Sequence, residues 1–444
     1  MRDLILKEVE RSAKEYEIFL QRTEINEVQL QRNTINFIDK SVSSGYGVRI
    51  HTKGMGFSSS NILSDSTIRQ TIKNALKSSE MTEKVKFNFP TSQPSKKVKA
   101  IDKKIKDDGE GAIRDYANQI LNLIPSDVMI SFGKIRAYDV NIEIINSEGL
   151  DLTREETSFM LELSIIIEKN GKKFEFWPHV YRRRIEDLPL SNLEKWIKMA
   201  RDQPLAIQPE TEKTTVILSP NSVLDGLGST IGFHSTGFAK LNKLSKFSPE
   251  DKIAIDKLTI ISDGLYPYGL MTSEFDDEGV PQRKNILIDN GVFKDHVYDQ
   301  LYSLKDDTKS TGNGFRQGSV FFTFDAKFAG APSNQVSNFY VEPGKKRLDQ
   351  LIGEVKHGIL VEKFSWLSPD STTGKFSSEI RAGYYIENGE ITKPIKGGLV
   401  ADNFFDLIMN ISGISNESKI TSGGTVLAGV CPYIRFEEVQ VAGK

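Results

Sequence analysis

The sequence predicts an α+β fold, with helices packed on antiparallel sheet in its amino-terminal part and a larger β-rich region after about residue 210. Three observations carry this. Apolar residues alternate at period two around residues 16–50 and 128–167, and amphipathic helical stripes lie between these runs. Three Asn-Gly pairs (Asn170–Gly171, Asn290–Gly291, Asn388–Gly389) each separate two strand-like runs. Asn-Gly tolerates the positive φ that a tight two-residue turn demands, so each pair marks antiparallel neighbours.

Along the chain, Leu4, Ile5 and Val9 open with a helix, followed by period-two runs at Tyr16, Ile18 and Leu20, at Val28 and Leu30, and at YGVRI before Gly54. Ser64 or Asp65 is placed to cap a helix whose apolar stripe is Ile68, Ile72, Ala75 and Leu76. The stretch KVKFNFPTSQPSKKVKAIDKKIKDD, with six lysines between Lys96 and Lys106, reads as a solvated connection, because only Phe87 and Phe89 accompany the charges. A helix carrying Ile113, Tyr116, Ala117, Ile120 and Ile124 on one face stops at Pro125. In SNLEKWIKMARD, Ser191 and Glu194 have the spacing of a capping box. Two prolines in Gln203–Glu210 precede the strand TTVIL, which puts the main boundary near residue 210. The expected organisation is an α/β module at 1–90, a β-rich module with helices at 91–210 that completes the amino-terminal domain, and a carboxyl-terminal domain at 211–444.

Composition narrows the function classes. Apolar residues make up 38% and charged residues 27%, and the formal charge is -2, so neither disorder nor a global attraction to nucleic acid is expected. Cys431 is the sole cysteine, which rules out an intramolecular disulfide, and MRDLILKEVERSAK lacks the apolar core of a secretory signal. No apolar run approaches the ~20 residues of a membrane helix. A cytoplasmic location is the expectation.

Standard catalytic motifs are absent: no GxxxxGK[ST], GxSxG or CxxC occurs, and TGNGFRQG (Thr311–Gly318) reads as a tight turn. The five histidines, His51, His179, His234, His296 and His357, stand more than ten residues apart, whereas zinc enzymes commonly pair two on one helical turn. His234 falls on an expected helix from Pro220 to Leu244 that Ser219 and Pro220 open, sharing a face with Leu227 and Ile231. In SEFDDEGVPQRK (273–284), an extended backbone lets Asp276 and Glu278 converge while Asp277 points away. A structural turn or peptide-contacting loop, with carboxylates capping free N–H groups, is the favoured reading of this stretch.

FDDEGVPQRKNILIDNGVFKDHVYD, STGNGFR, YYIENGEITKPIKG and the closing IRFEEVQVAGK resemble, in order, the carboxyl half of the TldD/PmbA family. VQLQRNTINFIDKSVSSGYGVRIHTKGMGFSSSN resembles that family's first module. The resemblance implies a cytoplasmic protease system in which a TldD-type subunit carries zinc on an HExxxH helix, with a later cysteine as a further ligand. That subunit pairs with a TldE (PmbA) subunit lacking the motif, and the two form a chamber for unfolded peptides. The segment matching the zinc helix is Pro220–Leu244, which has His234 but no glutamate and no second histidine. A TldE-like, non-catalytic subunit is therefore expected, binding no metal itself and partnered by a TldD-like zinc subunit. Strand edges are expected to hold an extended peptide, with His234, Asp276, Asp277, Glu278 and Arg316 lining the chamber. Dimerisation is expected because hairpin edges need covering. Two alternatives remain open: a stand-alone or homodimeric peptidase using His234 with Asp276 or Glu278, and a regulatory module on nucleic-acid enzymes supported only by the lysine run.

Overall fold

Two long strands, β1 (Glu15–Gln31) and β2 (Thr34–His51), form a hairpin that sets the first half of the chain. In the computed structural model, which describes residues 2–317, 326–423 and 428–444, this hairpin sits in an antiparallel sheet. The sheet adds β3 (Met55–Ser60), β4 (Val128–Asn146), β5 (Asp151–Lys169), β6 (Lys172–Phe176) and β7 (His179–Arg182). Its order is β3-β2-β1-β4-β5-β6, with β7 also on β5. The period-two patterns merge into strands of 17 to 19 residues because each is flanked by a partner of matching length.

The alternation assigns one face to helices. At one end α1 (Arg2–Ser12) and α2 (Asp65–Met81) bury Ile5, Val9, Ile68, Ile72 and Ala75 on Ile18, Val48 and Ile50. At the other end α3 (Lys103–Leu123) and α4 (Ser191–Asp202) cover Val28, Leu30, Ile135, Leu161 and Leu163. On the opposite face, Phe19, Ile25, Val140, Ile144 and Met160 meet Leu270, Phe275 and Phe328 from the second half of the chain.

That second half begins with β8 (Glu212–Leu218), which lies between His357–Phe364, parallel to it, and Ile434–Ala442, antiparallel. The path continues through Leu399–Asn403 and Lys375–Glu387, and the latter pairs back onto His357–Phe364, so the strands close into a ring. A second sheet, built around Ile260–Asp263, Lys284–Asp289 and Phe339–Val341, packs with it around Leu224, Leu227, Ile231, Phe293 and Phe436. The architecture is thus α+β with predominantly antiparallel sheet, as expected. All three Asn-Gly pairs are hairpin turns with both residues at positive φ (Asn170 53° and Gly171 72°, for example).

Local expectations fare unevenly. Ser64 does cap α2, accepting from Thr67 N. Three expectations need correction. The lysine-rich connection ends earlier than its composition indicates: Asp102 accepts from Lys104 N and starts α3 there, and Lys106 bridges Asp139 and Glu155. Ser191 is no cap, because Leu190 precedes the first helical residue and the backbone carbonyls of Pro189 and Leu190 already accept from Asn192 and Leu193. The helix expected over Pro220–Leu244 holds from Pro220 to His234 with a π turn at Leu224–Gly228, and is interrupted at Ser235 and Thr236 before Gly237–Leu241. Thr236 takes an extended conformation that ends the run, and starts the last piece by accepting from Ala239 N.

Gly56 lets β3 lie directly on α2, since a Cβ there would stand 1.9 Å from the Ala75 carbonyl oxygen and 2.5 Å from Ser79 N. Gly56→Ala is expected to lower stability by about 1–3 kcal/mol, as overpacking does, with Ser58→Ala near neutral; urea unfolding of the two variants measures the difference.

Candidate functional site

Asp276–Gly279 is a tight turn whose carbonyl at 276 accepts from Gly279 N, and Gly279 takes φ +86° against the Leu150 side chain. Its three acids are spent on separate tasks. Asp276 accepts from Glu278 N and Val280 N at one oxygen and from Gly314 N, at 2.8 Å, at the other. Asp277 accepts from Arg316 N at 2.8 Å and pairs with the Arg154 guanidinium. Glu278 accepts from Gln300 N at 2.8 Å and from Arg49 at 2.7 Å.

The arginines come from the first half of the chain, Arg49 and Arg154 from strands and Arg183 from just beyond β7. Arg49 on β2 faces Glu17 directly across the β1–β2 ladder and donates to it with Nε and Nη2, while Nη1 reaches Glu278. Arg154 on β5 also donates to the carbonyls of Phe275 and Asp276. Arg183, 1% exposed, uses all of its donor nitrogens: on Glu156, on its own sheet's Thr157 carbonyl, and on the carbonyls of Gly269, Leu270 and Thr272. In the reverse direction Arg316 pairs with Glu17, and Lys327 approaches Glu156 at 3.4 Å and Asp277 at 3.7 Å. Guanidinium suits this place because its planar fork satisfies several acceptors at once in a dry interior.

Charge balance follows from protonation. Despite burial, the Lys327 ammonium and the arginines hold Glu156 well below the usual carboxylate range and lower Asp277 as well. Burial, with Glu278 close by, pushes Asp276 well above that range and moves Asp299 up to about 8. Asp299, 3% exposed, caps a short helix by accepting from Tyr302 N.

His234 belongs to a different environment. It is fully buried among Phe233, Phe247 and Phe405, accepts at Nδ1 from Lys246 N at 2.9 Å, and shares Nε2 with the Thr372 carbonyl at 3.2 Å. Folding brings a second histidine near: Ser245 Oγ donates to the His234 carbonyl and lies 3.3 Å from His296 Nε2. Burial lowers both imidazoles, His296 to about 4, and His296 Nδ1 has no polar partner. Cys431 is buried against the Phe339 carbonyl at 3.8 Å, and desolvation raises its thiol. No contact joins His234 to Asp276 or Glu278, and among the described residues no three His, Cys, Asp or Glu side chains are grouped to hold an ion. A zinc-binding set needs three or four donors with free lone pairs, imidazole nitrogens, thiolates or carboxylates, converging on one point. The donors present do not fit it.

His234, Asp276, Asp277, Glu278 and Arg316 are each 3% exposed or less and bonded within the chain, so none of them faces an open wall. Gly318, the last residue of the expected Thr311–Gly318 turn, lies outside the described residues. Within that turn Gly312 takes φ +75°, and Gly314–Arg316 pairs with Pro332–Asn334.

Comparison with known proteins places this scaffold. The PmbA/TldA metallopeptidase C-terminal domain matches residues 211–443, and PmbA/TldA metallopeptidase domain 1 matches residues 16–79. The chain belongs to the PmbA/TldD metallopeptidase family. A zinc metalloprotease TldD homolog of Saccharolobus solfataricus is 25% identical over 463 aligned residues, 99% of each chain. A metalloprotease TldD homolog of Buchnera aphidicola is 34% identical over 205 residues, which cover 43% of this chain and 40% of that one. The crystal structure of TldE from Thermococcus kodakarensis superposes with a TM-score of 0.87 over 100% of both chains at 23% identity, which establishes the shared fold.

Sequence reasoning missed the partners of the FDDEG turn: Glu17, Arg49, Arg154, Glu156, Arg183 and Lys327. The signal was present in part. Glu17 sits among EYEIFL and Arg49 within YGVRI, where a strand otherwise apolar in character carries a charge. Such a charge indicates a buried pair, but not its mate.

Removing Arg49 would leave Glu17 and Glu278 buried with one guanidinium fewer. Arg49→Met is expected to cost about 3–5 kcal/mol, the usual penalty for breaking a buried pair, seen as a lower urea midpoint. The titrating acids predict two pH effects of opposite sign. Glu156 and Asp277, held below their unfolded values, stabilise the fold at neutral pH, and that contribution is lost as pH falls through the ordinary carboxylate range and below. Asp299, raised to about 8, binds a proton that the unfolded chain releases near pH 4, so its contribution declines as pH rises from there to about 8. Urea midpoints across pH 3 to pH 9 are expected to show both limbs, and Asp299→Asn should weaken only the upper one, to which the raised Asp276 also contributes.

Proposed function

We propose that this chain is a TldE/PmbA-like, non-catalytic subunit of a heterodimeric zinc metalloprotease that degrades or processes unfolded peptides in the cytoplasm. The observation that carries this reading is the state of the donors where the family's zinc helix would run. The segment holds one histidine with both ring nitrogens engaged by the backbone, it has no glutamate at all, and the chain's only thiol is buried and disfavoured as thiolate. Hydrolysis by zinc requires an open coordination position and a base to deprotonate the bound water. Neither can be assembled from these side chains without dismantling the core around Phe247 and Phe405.

The role that remains is architectural. The chain keeps the family fold from end to end and would contribute walls and strand edges, while a TldD-type subunit would contribute zinc and its base. The fold likeness to a TldE structure and the absence of a long apolar helix among the described residues are consistent with this role. The stand-alone peptidase reading lacks its key contact, since His234 meets neither Asp276 nor Glu278. The nucleic-acid reading loses much of its support, since Lys97 pairs with Glu274 and Lys106 with Asp139.

The purified chain is expected to bind less than stoichiometric zinc by elemental analysis and to leave unfolded casein intact. Adding a TldD-type subunit with its HExxxH helix should restore both zinc and cleavage. Metal-dependent cleavage by this chain alone, lost in His234→Ala, would overturn the proposal.

A further inference from the structure

The first sheet ends at β3 and β6, and β3 is too short to cover the whole of β2. β3 pairs with β2 only from Tyr46 to His51, so the outer edge of β2 from Thr34 to Val42 has no strand beside it among the described residues. This is a run of nine residues, exposed almost throughout, and it includes Phe37 at 46%, Ile38 at 38% and Val42 at 49% exposure. Ile62 and Leu63, 59% and 39% exposed, follow the end of β3, where the chain leaves the β2 edge. An unpaired strand flanked by large apolar side chains is a template for another strand, and proteins that stay monomeric usually blunt such an edge with charge, proline or a bulge. Here Asp39 and Lys40 are its only charges and no proline interrupts it.

A second copy of the chain fits this edge poorly. A two-fold axis that continues the sheet sets residue i opposite residue j of the copy only where both point to the same face, so i and j must share parity. Centring on Asp39 or Lys40 then opposes two like charges, which is destabilising. Centring on Ile38 sets Phe37 against Asp39, and centring on Ser41 sets Lys40 against Val42. Each symmetric register near the middle of the run therefore carries a charge clash or a charge against an apolar side chain. A different strand has no such restriction. It needs a cation or polar group opposite Asp39, a polar group opposite Lys40, whose ammonium is already 2.6 Å from Glu24, and apolar side chains opposite Phe37, Ile38 and Val42.

We propose that Thr34–Val42 is the docking edge for a strand of a second, non-identical subunit, so that the sheet continues from this chain into its partner. This rests on the heterodimer reading above and names the surface that makes the heterodimer. It also accounts for pairing with a TldD-type subunit in preference to self-pairing.

The test uses the full chain and a TldD-type subunit, with Ile38→Lys/Val42→Lys as the edge variant. Both positions are exposed, so the variant is expected to melt at the wild-type temperature. Its affinity for the partner, measured by biolayer interferometry, is expected to fall at least tenfold. Hydrogen exchange of the wild-type amides at 34–42 is expected to slow only when the partner is present. An intact complex in the double variant, or exchange at 34–42 unchanged on complex formation, would sink the edge assignment alone. A wild-type homodimer that the same substitutions dissociate would assign the edge to a second copy and refute the proposal. Absence of any complex with the wild-type chain would instead sink the partner reading itself.

Discussion

The buried lattice of guanidinium groups and carboxylates between the first sheet and the second half of the chain constrains everything around it. Arg49 and Arg154 on the sheet, and Arg183 just beyond β7, bind the 269–278 segment, and Arg316 returns to Glu17 on β1. Desolvating such charges costs several kcal/mol per ion, and their attraction offsets this only when geometry is good and the remaining donors and acceptors are satisfied. That requirement fixes the FDDEG turn in one conformation, because every acid in it has a different backbone or guanidinium partner. It also joins the two halves of the chain, since each donates groups the other cannot do without. Replacing the lattice by apolar side chains could be as stable, but it would not specify which turn meets which strand.

The lattice consumes the side chains that looked most like chemistry. Asp276, buried and accepting three backbone N–H bonds, is committed to holding its own turn and the Gly314 backbone. His234 is spent in the same way by Lys246 N and the Thr372 carbonyl. A scaffold of the metallopeptidase family can thus retain its fold while its polar interior serves structure. Among the described residues, β2 from Thr34 to Val42 keeps a backbone edge with no strand beside it.

How much of this was legible beforehand depends on the range of the interaction. The Asn-Gly turns, the Ser64 cap, the period-two runs that became β1, β4 and β5, and the stop of α3 before Pro125 are all local, decided within a few residues by φ preferences and alternation. The resemblance to the family was legible because several motifs lie in one order along the chain. The missed features are those in which a local signal was overridden. Ser191 had the capping spacing, but neighbouring carbonyls had already taken the N–H groups. Pro220–Leu244 had helical periodicity throughout, but an extended Thr236, whose hydroxyl accepts from Ala239 N, interrupted it.

The sequence by itself determined the alternation of helix and strand, the hairpin turns, the absence of a zinc motif and the membership of a family, because these rest on spacing between neighbours or on a linear order of residues. Tertiary structure alone decided the partners of the acids at 276–278, the tautomer-locking bonds of His234 and the exposure of one strand edge. Arg49 and Glu278 are separated by 229 positions, and nothing in either neighbourhood encodes the other. Such pairs exist only once two sheets have closed on each other and excluded the water that would otherwise have solvated each charge separately.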